Sequence, residues 1–169
     1  MKTTARMSKA RRQSGQSLVE VALLTPLLLA ILLGATELGR YAYISILVGN
    51  AAHAGALYGA QSLGQSATPQ GATVNPGIKL AADNDFQNNG QNIGKLTVSS
   101  NNTCGCDSDG SFVAESCNPT GTPTCASPGH WVIMVSVNAT GTFQSLFKYP
   151  WIPRTLTISR TSTMRVAQR

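Results

Sequence analysis

Two sets of residues stand where their chemistry would matter. The first is a single carboxylate, Glu20, at the front edge of a run, Val21 to Thr36, that carries no charge and is dominated by Leu, Ile, Val and Ala. A carboxylate in a membrane-spanning helix is costly near mid-bilayer and less so near the interface, so it either reaches the headgroups, takes a proton or meets a cation on another segment. The second set is four cysteines, Cys104, Cys106, Cys117 and Cys125, within one 22-residue window. In an exported protein such a window reads as a disulfide framework. A Cys104–Cys106 bridge would close a very tight ring. Each of those two is therefore expected to pair with Cys117 or Cys125, which leaves two arrangements open. A zinc site is the competing use, but structural zinc sites favour two C-x₂₋₄-C pairs, and C-x-C followed by gaps of ten and seven residues fits poorly. Asp107 and Asp109 look like the start of a calcium loop, yet no acid occupies its twelfth position.

Other chemistry is not written in the chain. There is no G-x-S-x-G, H-E-x-x-H, phosphate-binding loop or dinucleotide fingerprint. His53 stands apart from other metal-ligating or acid–base residues and reads as structural. Asn101 and Asn138 head N-x-T sequons, which matter only in a host that glycosylates them. No enzyme activity, metal or cofactor is expected. The formal net charge of +6 would suggest nucleic acid, but five of the 13 bases (Lys2, Arg6, Lys9, Arg11 and Arg12) lie in the first twelve residues. The eight bases beyond them face seven acids, so the body is nearly neutral and a poor phosphate binder. A basic arm against an apolar run is better explained by the positive-inside rule, which places the N-terminus in the cytoplasm and the rest outside.

These residues need elements to hold them. Residues 1–15 read as a basic cytoplasmic leader and 16–36 as a transmembrane helix, long enough if Glu20 is tolerated. Pro26 sits mid-span, where it removes one backbone hydrogen bond and should kink or loosen the helix. Residues 37–61 hold no proline and repeat apolar positions at helical spacing, so they read as an extension of the same helix. Ala51, Gly55 and Gly59 share one face, with Ala52, Ala56 and Ala60 beside it. Small residues four apart let another backbone come close, either the protein's own sheet or another subunit. Residues 62–169 read as an exported α+β domain. Within it 62–75 is a polar loop. Asn75-Pro76 starts a short helix with Ile78, Ala81, Ala82 and Phe86 on its apolar face. Gln87–Asn92 is turn-like and Lys95–Ser99 a short strand. Residues 104–125 form a disulfide-bonded loop, and two strands follow at His130–Phe143 and Thr155–Ala167, separated by a break at Tyr149–Pro153. The fold class is α+β: a long N-terminal transmembrane helix extending into a small antiparallel sheet that packs on its C-terminal half.

The N-terminal residues also carry a resemblance. Basic arm, Gly15, four residues, Glu20 and an apolar span resemble the G-x-x-x-x-E processing motif of type IV pilin-like prepilins. The string GQSLVEVALLTPLLLAILLGATELGR is more closely similar to the TadE-like family, minor pseudopilins of tight-adherence (Flp) pilus systems. The matching features are Val19-Glu20-Val21, Pro26 and Glu37-Leu38-Gly39-Arg40. One departure is Val21, where these families favour an aromatic residue. The resemblance implies cleavage by a prepilin peptidase between Gly15 and Gln16. It implies an inner-membrane subunit with its C-terminal domain in the periplasm or outside the cell. Its partners would be the lipid bilayer, other pilin or pseudopilin subunits and pilus assembly platform proteins. Glu20 of one subunit could then pair with the new amine at Gln16 of a neighbour. The alternative is an uncleaved single-pass envelope scaffold of the same machinery.

Overall fold

A computed structural model of the chain describes residues 14–67, 72–88, 95–117, 125–148 and 153–166. The expected leader through residue 13, parts of the 62–75 loop and of the Gln87–Asn92 turn, residues 118–124 of the expected cysteine loop, the 149–152 part of the break between the last strands, and Ala167 lie outside the described residues. The chain divides into two compact units, residues 1–40 and 41–169.

The first unit holds the front of helix α1 (Ser14–Ala60), which passes through Pro26 without interruption. Its apolar side chains, from Leu18 to Leu33, are exposed on every side. No stripe is set aside for a core, which is the pattern of a helix meant for an apolar solvent.

The second unit is an α+β layer pair. After α1 come α2 (Leu63–Ser66) and α3 (Pro76–Asn88), then strands β1 (Thr97–Ser108), β2 (Ser111–Glu115), β3 (His130–Gln144) and β4 (Thr155–Arg165). The sheet is antiparallel throughout, in the order β2-β1-β3-β4. In β3 the period-2 expectation holds: Val135, Val137, Ala139 and Phe143 are buried, alternating with Ser136, Asn138, Thr140 and Thr142. On β4 the buried Ile158 and half-buried Leu156 and Met164 share that face, with Arg160 and Ser162 between them. The inner face packs on Ile44, Leu47, Val48, Ala51, Ala52 and Ala56 of α1 and on Ile78, Ala82 and Phe86 of α3.

The small residues of α1 explain how the layers come so close. A Cβ on Gly55 would stand 3.1 Å from Val137 Cγ1 and 3.3 Å from the Ile78 carbonyl oxygen; one on Gly59 would stand 3.0 Å from Ile78 Cδ1. Ala51 is fully buried in the same cluster. The close approach on this face is thus to the protein's own sheet and to α3. Two opposed terms meet in Gly55→Ala. Helix propensity gains about 1 kcal/mol, while crowding of a packed site costs roughly 1–3 kcal/mol. Gly55→Leu has no such offset beyond propensity, and is expected to lose about 3 kcal/mol in urea unfolding of the detergent-solubilised chain. An unchanged midpoint for the leucine variant would contradict the packing.

Start signals in the sequence act as written at α3. The Gly77 N–H donates to Asn75 Oδ1 at 2.9 Å, so Asn75 caps the helix and Pro76 opens it. Two local features depart from expectation. The 62–75 loop contains the single helical turn α2, capped by Ser62, whose Oγ accepts from the Gln65 N–H. The first half of the expected cysteine loop is a hairpin: the short strand expected at 95–99 instead runs on to Ser108 and carries Cys104 and Cys106 within it. Asp109 (φ 48°) and Gly110 (φ 85°) make the two-residue turn into β2. Both torsions lie in the left-handed region that Asp-Gly hairpin turns use.

Candidate functional site

The first candidate site is the front of α1. Gly15, Gln16 and Glu20 all lie in the helix with exposed side-chain positions. Among the described residues Glu20 makes no hydrogen bond or ion pair. The polar groups that follow it are treated differently. The Thr25 hydroxyl donates to the Val21 carbonyl at 2.6 Å, and the Thr36 hydroxyl to the Leu33 carbonyl at 2.8 Å. Thr25 thus turns inward one residue before Pro26, which has no N–H to give the ladder. At the far end Arg40 Nη1 meets Glu37 Oε2 at 3.2 Å. The stretch between Glu20 and this ion pair therefore shows an apolar solvent little but hydrocarbon. Its mean hydropathy reaches 2.4 over 18 residues, and α1 is the one described helix long and apolar enough to cross a membrane.

Gly15 is instructive by what surrounds it. A Cβ there would meet nothing within 4 Å, and the same holds for Gly34 and Gly39. Glycine inside a helix costs about 1 kcal/mol relative to alanine. At Gly55 that cost is offset by close packing inside the protein. At Gly15 nothing among the described residues requires the glycine.

The second candidate site is the cysteine region, and it is structural. Cys104 pairs with Cys117 (Cα–Cα 4.9 Å) and Cys106 with Cys125 (Cα–Cα 5.6 Å). This is one of the two arrangements the spacing leaves open, and it commits all four sulfurs, so they hold no zinc. The alternation of β1 puts both Cys104 and Cys106 on the inner face, opposite Ile133 and Trp131 of β3. Cys104 is buried, and the Cys117 Sγ lies 3.6 Å from the Asn102 carbonyl oxygen, back along β1. Gly105, between the two, faces outward under the Phe112 ring, beside Val132, which is fully buried on that outer side. Asp107 lies in β1 and Asp109 in the turn, so neither heads a calcium loop.

The remaining sequence candidates do not converge. His53 is exposed on α1. Asn101 is exposed on β1, while the Asn138 amide donates to Ser159 Oγ and Thr161 Oγ1, both at 2.9 Å. Those residues belong to a hydroxyl and amide face on the outer side of the sheet, where Ser136 and Thr163 share a hydrogen bond of 2.8 Å and Thr140 bonds Asn138 and Ser159. These groups pair the strands across the sheet, and Ser136, Asn138 and Thr161 also line an open cavity with Thr73, Ser99 and Asn101. Sequence reading missed the contact between the Arg160 guanidinium and the Ser45 hydroxyl, which ties β4 to α1. Arginine on the inner face of β4 was legible; that its head would reach a buried serine was not.

No curated protein and no solved structure matches the chain. A family model does: that of the TadE-like proteins, over residues 15–57. The match begins at Gly15, takes in Glu20, Pro26 and the Glu37–Arg40 exit, and ends within α1. Over residues 15–57, then, the chain is similar to the TadE-like proteins.

Proposed function

We propose that this chain is a non-enzymatic minor pseudopilin, or an assembly component, of a tight-adherence pilus or related secretion apparatus. It sits in the inner membrane with its N-terminus in the cytoplasm, and a prepilin peptidase cuts it between Gly15 and Gln16. The TadE-like match supports a pilus-associated membrane protein, and the apolar helix supports single-pass anchoring. The observation that carries the finer reading is the pair Gly15 and Glu20 on one exposed helix. Among the described residues the glycine has no packing role and the carboxylate no partner. A peptidase that must bring a backbone close would use the first. A neighbouring subunit's new amine at Gln16 would use the second, since pairing offsets the cost of a charge in the bilayer. Partners on this reading are the peptidase, other pilin or pseudopilin subunits, assembly platform proteins and lipid.

Mass spectrometry of the mature protein, in cells with and without the prepilin peptidase, tests the cut. Gln16 as first residue only when the peptidase is present is the expected result. An N-terminus that still holds the 1–15 leader in both strains overturns it and favours an uncleaved envelope scaffold. Glu20→Gln is expected to insert and be cleaved normally, yet to be recovered with partner subunits at about one-tenth the wild-type level or less, the loss of one paired charge. Normal incorporation of that variant would rule out the pairing role.

A further inference from the structure

We infer that residues 41–169 associate head to tail with a second copy of this chain, the β2 edge of one sheet pairing with the β4 edge of the next.

The topology supplies the first argument. The sheet is antiparallel with four strands, so its two edge strands, β2 and β4, run in opposite directions. A copy moved sideways without rotation therefore brings β2 against β4 in antiparallel register. Among the described residues no strand lies on the outer edge of either. By contrast, β1 beyond the hairpin is already covered, since the Ser100 N–H donates to the Thr73 carbonyl.

Charge supplies the second argument and selects among the possible pairings. The acids of the sheet, Asp107, Asp109 and Glu115, all belong to the β1–β2 hairpin. The bases along the other edge, Arg154, Arg160 and Arg165, have no acid among them. Two-fold pairing of β4 with β4 sets arginines against arginines, and pairing of β2 with β2 sets acids against acids. Like charges across strands destabilise a sheet and reject a partner. Such edges discourage symmetric pairing while leaving the heterologous contact attractive.

Backbone phase supplies the third. A two-residue hairpin is closed by a hydrogen-bonded pair, here Ser108 and Ser111, so Phe112 and Ala114 turn their N–H and C=O outward. On β4 the Val166 N–H bonds the Ile133 carbonyl, which leaves Thr161 and Thr163 turned outward. All four belong to the outer face of the sheet. Pairing Phe112 with Thr163 and Ala114 with Thr161 continues the ladder and keeps the two inner faces on one side. The same register sets Glu115 opposite Arg160 and brings Asp109 alongside Arg165.

A photo-crosslinking residue at Val113, an exposed position of β2, tests this in the full chain expressed in membranes with an epitope-tagged second copy. The expected adduct joins Val113 to residues 160–164 of the tagged copy. Arg165→Glu in the tagged copy leaves the Arg160–Ser45 contact in place and is expected to cut the adduct about tenfold. Adding Asp109→Arg to the other copy restores it. Resistance to chymotrypsin under native conditions, equal to wild type, shows that the variants fold. The inference is overturned by folded chains that give no adduct, by an adduct of β2 with β2, or by a yield that ignores charge reversal. None of these outcomes depends on cleavage after Gly15.

Discussion

A chain with all four cysteines changed to alanine is expected to lose roughly 6 kcal/mol of stability in residues 41–169, about 3 kcal/mol for each bridge in the chain-entropy model. The sequence separations of 13 and 19 residues place both loops where that figure applies. A domain of ordinary stability has about 5–15 kcal/mol in total, so most of the margin is lost. The consequence falls on a particular place. Cys104 is among the most buried residues of β1, yet β2 beyond the turn buries almost nothing of its own. A five-residue edge strand with mostly exposed side chains has little to hold it but ladder bonds and cystines. Limited proteolysis is the direct readout. The alanine chain should be cut between residues 108 and 126 at protease levels that leave the wild-type chain intact, and should unfold at lower urea. If the midpoint is unchanged, the bridges are not what holds the hairpin.

Gly105→Ala is expected to cost at least about 3 kcal/mol, the upper end for inserting a methyl group into a packed site. A Cβ at this position would stand 2.1 Å from the Val113 carbonyl oxygen and 2.8 Å from Phe112 Cζ. The ring could swing away. The carbonyl belongs to the backbone of β2, directly across the ladder, and cannot move without breaking the Cys106–Val113 pairing. Because Gly105 lies between Cys104 and Cys106, moving β2 would also strain the way both cystines leave the strand. Thermal unfolding followed by circular dichroism checks the size of the loss. Gly64→Ala is the matched control: it lies in a helical turn with nothing within 4 Å of the added carbon, and should change stability by less than about 0.5 kcal/mol. Equal effects of the two substitutions would show that Gly105 is dispensable.

The sequence spoke clearly where burial alone decides structure. The run from Val21 to Thr36, the alternation of Val135, Val137 and Ala139, and the Asn75-Pro76 start each follow from a single local rule. The cysteine window did not speak clearly, for a physical reason. The inner face of β1 is Val98, Ser100, Asn102, Cys104 and Cys106, too polar to announce a strand by hydrophobic period. Its state is fixed by β3 alongside it and by the cystines. The Asp109-Gly110 step is the available signal for a hairpin, and its acids, spaced like the start of a calcium loop, obscure it. Strand order was likewise beyond reach, since β1 and β3 pair across some thirty residues of chain. At the candidate site the spacing of Gly15 and Glu20 was visible at once. What the fold adds is contrast: Gly55 and Gly59 are glycines because of neighbours in this chain, while Gly15 has none among the described residues.

The two cystines interleave along the chain, 104 with 117 and 106 with 125, so neither loop can be closed and set aside before the other begins. As the polypeptide lengthens, Cys117 arrives while Cys104 and Cys106 are both still reduced, two residues apart on the same side of one strand. First contact therefore offers a choice between two thiols of nearly equal access. A Cys106–Cys117 bridge formed early would strand Cys104 and have to be undone by thiol attack before Cys125 could find its partner. Correct maturation of this protein thus depends on a shuffling activity as well as an oxidising one, unless β2 zips onto β1 first and sets Cys117 beside Cys104 by register alone.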